Sequence, residues 1–454
     1  MLKRMLLPLL LAVLAAGCAT TTVRAPATPM VAPAFAEAQS LARDLGTLDA
    51  SQRQASAARI DRLLAGIDDA SLLRDAAALP LGDPLYNFAG RTLLDRGLAL
   101  PRPFDRNTAL AQAAQRPPAD TDGYRPPLKL AVLLPLSGNL ATAATPVRDG
   151  FLAGYYAEQR RHPEVVFFDT ATGVSAAYDQ AVAAGADFVI GPLGREEVDR
   201  LFGKAALTVP VLALNRGNVA PPAGSASFAL APEDDGIVAA EYAIAHGARR
   251  VLILANADDS MRRASAAFRE QFSRRGGTIV AELGVGTDPG DMGTALATAA
   301  RADGGVDAVF LALRPAHART LAPQLSVAGL SGKLWIATSQ LATASTADSA
   351  DHALDGIVFP SDAWSVGYVP GLPSAASAAT LLQSARGPAQ RLFAFGFDAW
   401  RIAAYLDHLA GDANASIAGA TGSLRLDGFG NVVRKPSWAS WSGDLVMLLP
   451  DGGR

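Results

Sequence analysis

At 454 residues the chain has room for two or three domains, and half of it is hydrophobic, which excludes a disordered polymer. A formal net charge of −3, with no dense basic cluster, excludes a nucleic-acid footprint. A single cysteine, Cys18, excludes a disulfide framework, so the core must be large enough to stand without one.

The amino terminus reads as a signal peptide over 1–17. Lys3 and Arg4 form a positive start, Met5–Ala16 an apolar run too short to span a bilayer, and Gly17-Cys18 a small residue before a cysteine. The stretch Leu14-Ala15-Ala16-Gly17-Cys18 resembles the bacterial lipobox, with Ala15 in place of the usual leucine. That resemblance implies cleavage before Cys18 and acylation of its thiol and new amino group, palmitate included. Several acyl chains anchor stably where one does not. Ala19 stands where an aspartate would signal inner-membrane retention, so the resemblance implies a lipid-anchored protein on the periplasmic face of the outer membrane.

Residues 18–33 are small, polar and proline-punctuated, a tether. Residues 34–98 carry helical spacing, with Phe35, Ala38, Leu41 and Leu45, then Ile60, Leu63, Leu64 and Ile67. They predict a small all-α domain of three or four short helices that must lean on something else to bury its apolar face. Residues 99–127 hold six prolines and predict a linker.

From Leu128 the pattern changes. The apolar run Leu130–Leu134 suits a parallel strand buried on both faces. A loop, Ser137-Gly138-Asn139, follows, and Thr145-Pro146 reads as the cap and first residue of a helix. Further strands are predicted at Val165–Phe168, Phe188–Ile190 and Val209–Leu214, and a second series at Val251–Ala255, Thr278–Leu283, Ala308–Leu313 and Leu334–Ala337. Helices fall between them. Two series of four strands predict α/β architecture with two doubly wound, Rossmann-like lobes. A tail follows, with a strand at Ile357–Phe359, a long helix at Pro388–Leu409 and a hairpin of Gly422–Leu426 with Asn431–Val433. The division expected is lobe 1 at about 128–230 plus 342–412, and lobe 2 at about 231–341 plus 413–450.

Such lobes enclose a cleft lined by the carboxyl ends of strands. The candidate cleft residues are Ser137, Gly138, Asn139, Leu193, Gly194, Arg195, Asn215, Arg216, Arg314, Thr338, Ser339 and Gln340. Catalytic and metal-binding constellations are not found: the five histidines are scattered, no Cys/His zinc spacing exists, and neither G-x-S-x-G nor Ser-x-x-Lys occurs. Gly284-Val285-Gly286 follows a strand, but Pro289 stands where the third glycine of a dinucleotide fingerprint belongs. No enzyme and no cofactor is expected. The pairs Glu196-Glu197, Asp234-Asp235 and Asp258-Asp259 each open a predicted helix, where acids favour the dipole.

Residues 128–443 resemble the type I periplasmic-binding-protein fold and, more narrowly, the carboxyl-terminal domain of the LpoA-type penicillin-binding protein activators. The stretches LKLAVLLPLSG (128–138), DFVIGPLGREEVDRL (187–201), VPVLALNR (209–216), FALAPEDD (228–235), LWIATSQL (334–341), FAFGFDAWRI (393–402) and GATGSLRLDGFGNVVR (419–434) carry the resemblance. It implies an outer-membrane lipoprotein that stimulates a bifunctional, class A penicillin-binding protein by contact and so regulates peptidoglycan synthesis and cell shape. The family's helical amino-terminal domain is much longer than residues 34–98. The alternative is a lipoprotein receptor for an amino acid, feeding an ABC transporter. In such receptors the loop matching Pro192–Val198 offers hydroxyls and amides to a ligand carboxylate; here Glu196 and Glu197 would repel one, with Arg195 in partial offset.

Overall fold

A computed structural model describes residues 31–105, 116–204, 207–343, 352–443 and 445–450. Cys18, the signal peptide and most of the tether lie outside the described residues. Among the described residues no helix is long and apolar enough to cross a membrane.

The helical domain consists of α1 (Pro33–Asp44), α2 (Ala50–Ala65), α3 (Asp69–Ala77) and α4 (Leu85–Asp95). Asp49 caps α2 in a reciprocal box with Gln52, and Asp68 caps α3 by accepting from the Ser71 amide. Phe35, Ile60, Leu64, Leu72, Tyr86 and Leu93 fill its core, which continues into Ala413 and Phe429 of the following domain.

Lobe 1 begins with β1 (Lys129–Leu134), α5 (Ala141–Ala157), β2 (Glu164–Asp169), α6 (Val174–Ala183), β3 (Phe188–Ile190), α7 (Arg195–Phe202), β4 (Val211–Ala213) and β5 (Ala226–Phe228). Lobe 2 continues with α8 (Pro232–Ala245), β6 (Arg250–Asn256), α9 (Asp259–Arg274), β7 (Thr278–Val285), α10 (Gly293–Ala300), β8 (Ala308–Ala312), α11 (Pro315–Leu325), β9 (Leu334–Ala337) and β10 (Val358–Ser361). The chain then returns through α12 (Ala363–Val366), α13 (Ala375–Leu381), the long α14 (Ala389–Gly411), β11 (Ile417–Ala418), β12 (Ser423–Leu426) and β13 (Asn431–Lys435). It ends with β14 (Ser437–Ser442) and β15 (Leu445–Leu448).

The two sheets repeat one plan. Lobe 1 has parallel strands in the order β2-β1-β3-β4-β5, extended by β13-β12-β11; lobe 2 has β7-β6-β8-β9-β10, extended by β14-β15. Side-chain alternation along the first strand of each lobe explains its two helical layers. In β1, Leu130, Val132 and Leu134 pack toward α5 and α14, while Ala131 and Leu133 pack toward α6 and α7. In β6, Leu252 and Leu254 pack toward α10 and α11, while Val251 and Ile253 pack toward α8 and α9.

Helices α5 and α14 cross where Gly150 and Gly396 meet. A Cβ on Gly150 would stand 1.8 Å from the Phe393 carbonyl oxygen, and one on Gly396 would stand 1.9 Å from that of Val147. Only glycine permits this approach, which sets α14 across the face of lobe 1.

Four expectations change. Helix α5 starts at Ala141 and carries Pro146 inside it, because the alanine-rich turn before Thr145 extends the helix upstream. Strand β10 completes the sheet of lobe 2, with Val358 beside Ile336, and the hairpin β12–β13 joins lobe 1, where Asn431 pairs with Ser227. The described crossings therefore fall between β5 and α8, between β10 and α12, and between β13 and β14, not at 342 and 413. Finally, the described flanks of the segment 99–127 are fastened down. Phe104 is buried in the helical core, and Tyr124 lies in the lobe 1 core with its hydroxyl donating to the Arg161 carbonyl at 2.8 Å. Proline denies a segment regular pairing but does not prevent its aromatic residues from finding a core.

Candidate functional site: the interlobe junction

The crossings bring three cations of lobe 1 against three carboxylates of lobe 2 and its connections. Arg216 follows β4, Arg391 lies in the first turn of α14, and Arg434 lies on β13. Opposite them, Asp234 and Asp235 lie in the first turn of α8, and Asp362 follows β10.

Arg216 Nη1 meets Asp234 at 2.6 Å, and its Nη2 donates to the Val432 carbonyl at 3.4 Å. Arg391 stands 3.6 Å from Asp235 and 3.9 Å from Asp362, and Arg434 stands 3.7 Å from Asp362. Ser339, after β9, donates its amide to Asp235 at 2.9 Å; its hydroxyl donates to the same carboxylate and accepts from Arg391. Burial pushes the Asp362 carboxyl up from its usual range, with Arg391 and Arg434 pulling it back. Burial opposes the charged form of Arg391, but Asp235 and Asp362 outweigh it and raise its pKa. For Arg434 the balance is reversed: burial and then the like charge of Arg391 lower it.

The network encloses a cavity of about 140 Å³, with Asp235, Met261, Thr338, Gln340 and Arg391 in its wall. Small-ligand sites run to roughly 300–1,000 Å³. Several buried junction atoms have no hydrogen bond among the described residues, among them Asp234 Oδ2, Ser361 Oγ and Nε of Arg216, Arg391 and Arg434. A polar cavity of this size suits a few ordered waters on such atoms.

The predicted cleft residues divide between this junction and the rims. Arg216, Thr338, Ser339 and Gln340 come together. Ser137 is exposed and donates to Asp169 at 2.6 Å, with Gly138 and Asn139 beside it on the outer rim. Gly194 caps α7, and its amide donates to Glu197 at 3.1 Å, so that carboxylate is spent within its own helix turn. Leu193 packs on the lobe 1 core, and its carbonyl accepts from Asn215 at 2.9 Å. Arg195 reaches Asn218 at 3.3 Å, and Arg314 reaches Asp258 at 3.3 Å on the lobe 2 rim. Asp362, Arg391 and Arg434 are absent from the sequence-based set. Arg391, a charge beside the apolar run Leu392–Phe397, is the one that left a visible trace. Asp234 and Asp235 do open a helix, and they also face the arginines. Among the described residues no group of three or more His, Cys, Asp or Glu could hold a metal ion.

Two doubly wound lobes of equal strand order, joined by crossings beside a cleft at their strand ends, define the type I periplasmic-binding-protein architecture. Solved structures place it there. The C-domain of LpoA (YraM) from Haemophilus influenzae, a regulator of PBP1A, is 22% identical with a TM-score of 0.60, covering 71% of this chain and 100% of that one. A putative branched-chain amino acid ABC transporter from Chromobacterium violaceum is 27% identical with a TM-score of 0.54, covering 69% and 100%. The chain belongs to the family described as LppC putative lipoprotein, whose model matches residues 124–443. The penicillin-binding protein activator LpoA of Pasteurella multocida is 27% identical over 88% of this chain and 71% of its own length. That of Photobacterium profundum is 27% identical over 70% of this chain, a match spanning 56% of its own length.

Proposed function

We propose that the chain is a lipoprotein activator of a class A penicillin-binding protein, acting by protein contact and not by chemistry of its own. The family match over residues 124–443 carries this reading, since relatives of the family bear that name. The junction supports it. A receptor must open its cleft to admit a ligand, and here the cleft is occupied by the chain's own ion pairs around a cavity of about 140 Å³. Anchoring through Cys18 on the periplasmic face of the outer membrane belongs to the same reading, resting on the lipobox-like stretch 14–18.

The test adds the purified full chain to a class A synthase of the same organism and follows glycan polymerisation and peptide cross-linking. Stimulation of either is the expected result. Lack of stimulation and of binding, together with a thermal shift on adding a branched-chain amino acid, would transfer the assignment to a solute receptor.

A further inference from the structure

The helical domain and lobe 2 face one another across a polar trough separate from the interlobe junction. One wall is formed by α2 and α4, the other by the end of α9 and the turn after it. Two cavities of about 560 and 460 Å³ make it up, and both include Ala65 and Arg274 in their walls. Each is within the size of small-ligand sites, which favour domain interfaces.

The charges along it are mixed and only partly matched to each other. Arg91 is fixed by Asp61 at 2.6 Å and by the faces of Phe88 and Phe429, and Arg96 by Asp69 and three backbone carbonyls. Other groups retain capacity. Arg62 is exposed and has no hydrogen bond or ion pair among the described residues. Arg275 is paired through Nε with Glu241 at 3.3 Å, leaving its two terminal nitrogens open among the described residues, whereas the terminal nitrogens of Arg274 are taken by Glu270 at 2.9 Å and Gln271 at 3.3 Å. Asp95 shares the helical-domain wall with Arg62, opposite Arg275, and among the described residues has one ion pair, at 3.8 Å with Arg425.

We propose that this trough binds a short zwitterionic peptide, its carboxylates held by Arg62 and Arg275 and its ammonium by Asp95. Resting on the function proposed above, the peptide class is the stem peptide of peptidoglycan, which bears several carboxylates and a free amine. A phosphoanion would meet Asp61, Asp69 and Asp95 in the same cavity, and a neutral glycan would leave both signs of charge unanswered. A zwitterion answers both, and the guanidinium fork matches carboxylate geometry. Two adjoining cavities suit an extended ligand. Asn87 already fastens the helical domain to lobe 1 through the Gly428 carbonyl at 2.8 Å, so a ligand here would fasten it to lobe 2 as well.

The experiment titrates the full chain with the synthetic tripeptide L-Ala-γ-D-Glu-meso-diaminopimelate by calorimetry, alongside chitotetraose. Binding of the tripeptide alone is expected, weakened tenfold or more by Arg275→Glu and several-fold by Arg275→Ala, with melting of the free variants unchanged. Affinity should also fall as salt is raised. No binding at millimolar tripeptide, equal affinity in Arg275→Glu, or binding of chitotetraose alone overturns the proposal. Synthase stimulation is followed on the same preparation. Stimulation without tripeptide binding defeats the trough and leaves the activator standing; absence of stimulation defeats the activator whatever the trough binds.

Discussion

Arg391, in the first turn of the long lobe 1 helix, stands 3.6 Å from Asp235, in the first turn of the first lobe 2 helix. Ser339 bridges the same pair, donating to Asp235 and accepting from Arg391. The lobes are thus held by a shared polar cluster that neither builds alone.

Removing one side of a buried ion pair leaves the other uncompensated, which costs about 3–5 kcal/mol when burial is complete. Arg391 is 25% exposed at its side chain, so Arg391→Ala should cost about 2–3 kcal/mol. Urea denaturation checks the stability, and small-angle scattering should show the lobes separating. An unchanged midpoint and radius of gyration would mean the cluster does not hold them.

The α5–α14 crossing permits no side chain at its centre. Gly396→Val should destabilise lobe 1 by more than about 3 kcal/mol, because the obstruction is backbone and cannot rotate away. Gly411→Ala, with nothing within 4 Å of the added carbon, should be tolerated in the same denaturation assay.

Asp398 is fully buried on α14 and accepts from the amides of Ala420 and Thr421 and from the Thr421 hydroxyl. Burial pushes its carboxyl up to about 6, against those hydrogen bonds. A folded-state pKa above the unfolded value gives a contribution that is full below the unfolded pKa and lost as pH rises through about 6. Asp398 should therefore add up to about 3 kcal/mol as pH falls from 7 to 4, before other groups are counted. Asp398→Asn should flatten this part of the stability–pH curve. A slope equal to wild type between pH 7 and 5 would refute the assignment.

The helical domain rests on lobe 1 through Phe429, which meets Phe88 edge-on at 4.8 Å, and through Gly428, where a Cβ would stand 2.6 Å from the Phe104 ring. Phe429→Ala should lower the cost of undocking by about 1–3 kcal/mol, seen as earlier proteolysis within 31–105 while the lobes stay protected. Tyr124 belongs to the lobe 1 core, so a fragment from 116 should melt above one from 128. Equal melting temperatures would mean Tyr124 contributes nothing.

Under the anchoring proposed through Cys18, Cys18→Ser should move the protein from the outer-membrane fraction to the soluble periplasm with its melting temperature unchanged. Persistence with the membrane would remove the lipid anchor from the account.

Local pattern was sufficient for most of the strands and helices. The runs at Phe188–Ile190 and Leu334–Ala337 are the observed β3 and β9, because a strand covered on both faces must be apolar throughout. Short strands with little apolar contrast, such as Ala226–Phe228 and Ser437–Ser442, escaped notice, since pairing with neighbours distant in sequence defines them.

The sequence by itself determined two doubly wound lobes, a small helical domain before them and the family resemblance, since periodicity and ordered motifs are written along the chain. Only the tertiary structure decided which lobe owns β10 and the β12–β13 hairpin, because sheet membership is settled by edges that become adjacent on folding. It also decided the junction. Asp234 and Asp235 are ordinary helix-opening acids until Arg216 and Arg391, 18 and 156 residues away, are folded against them, and an ion pair depends on distance in space rather than along the chain.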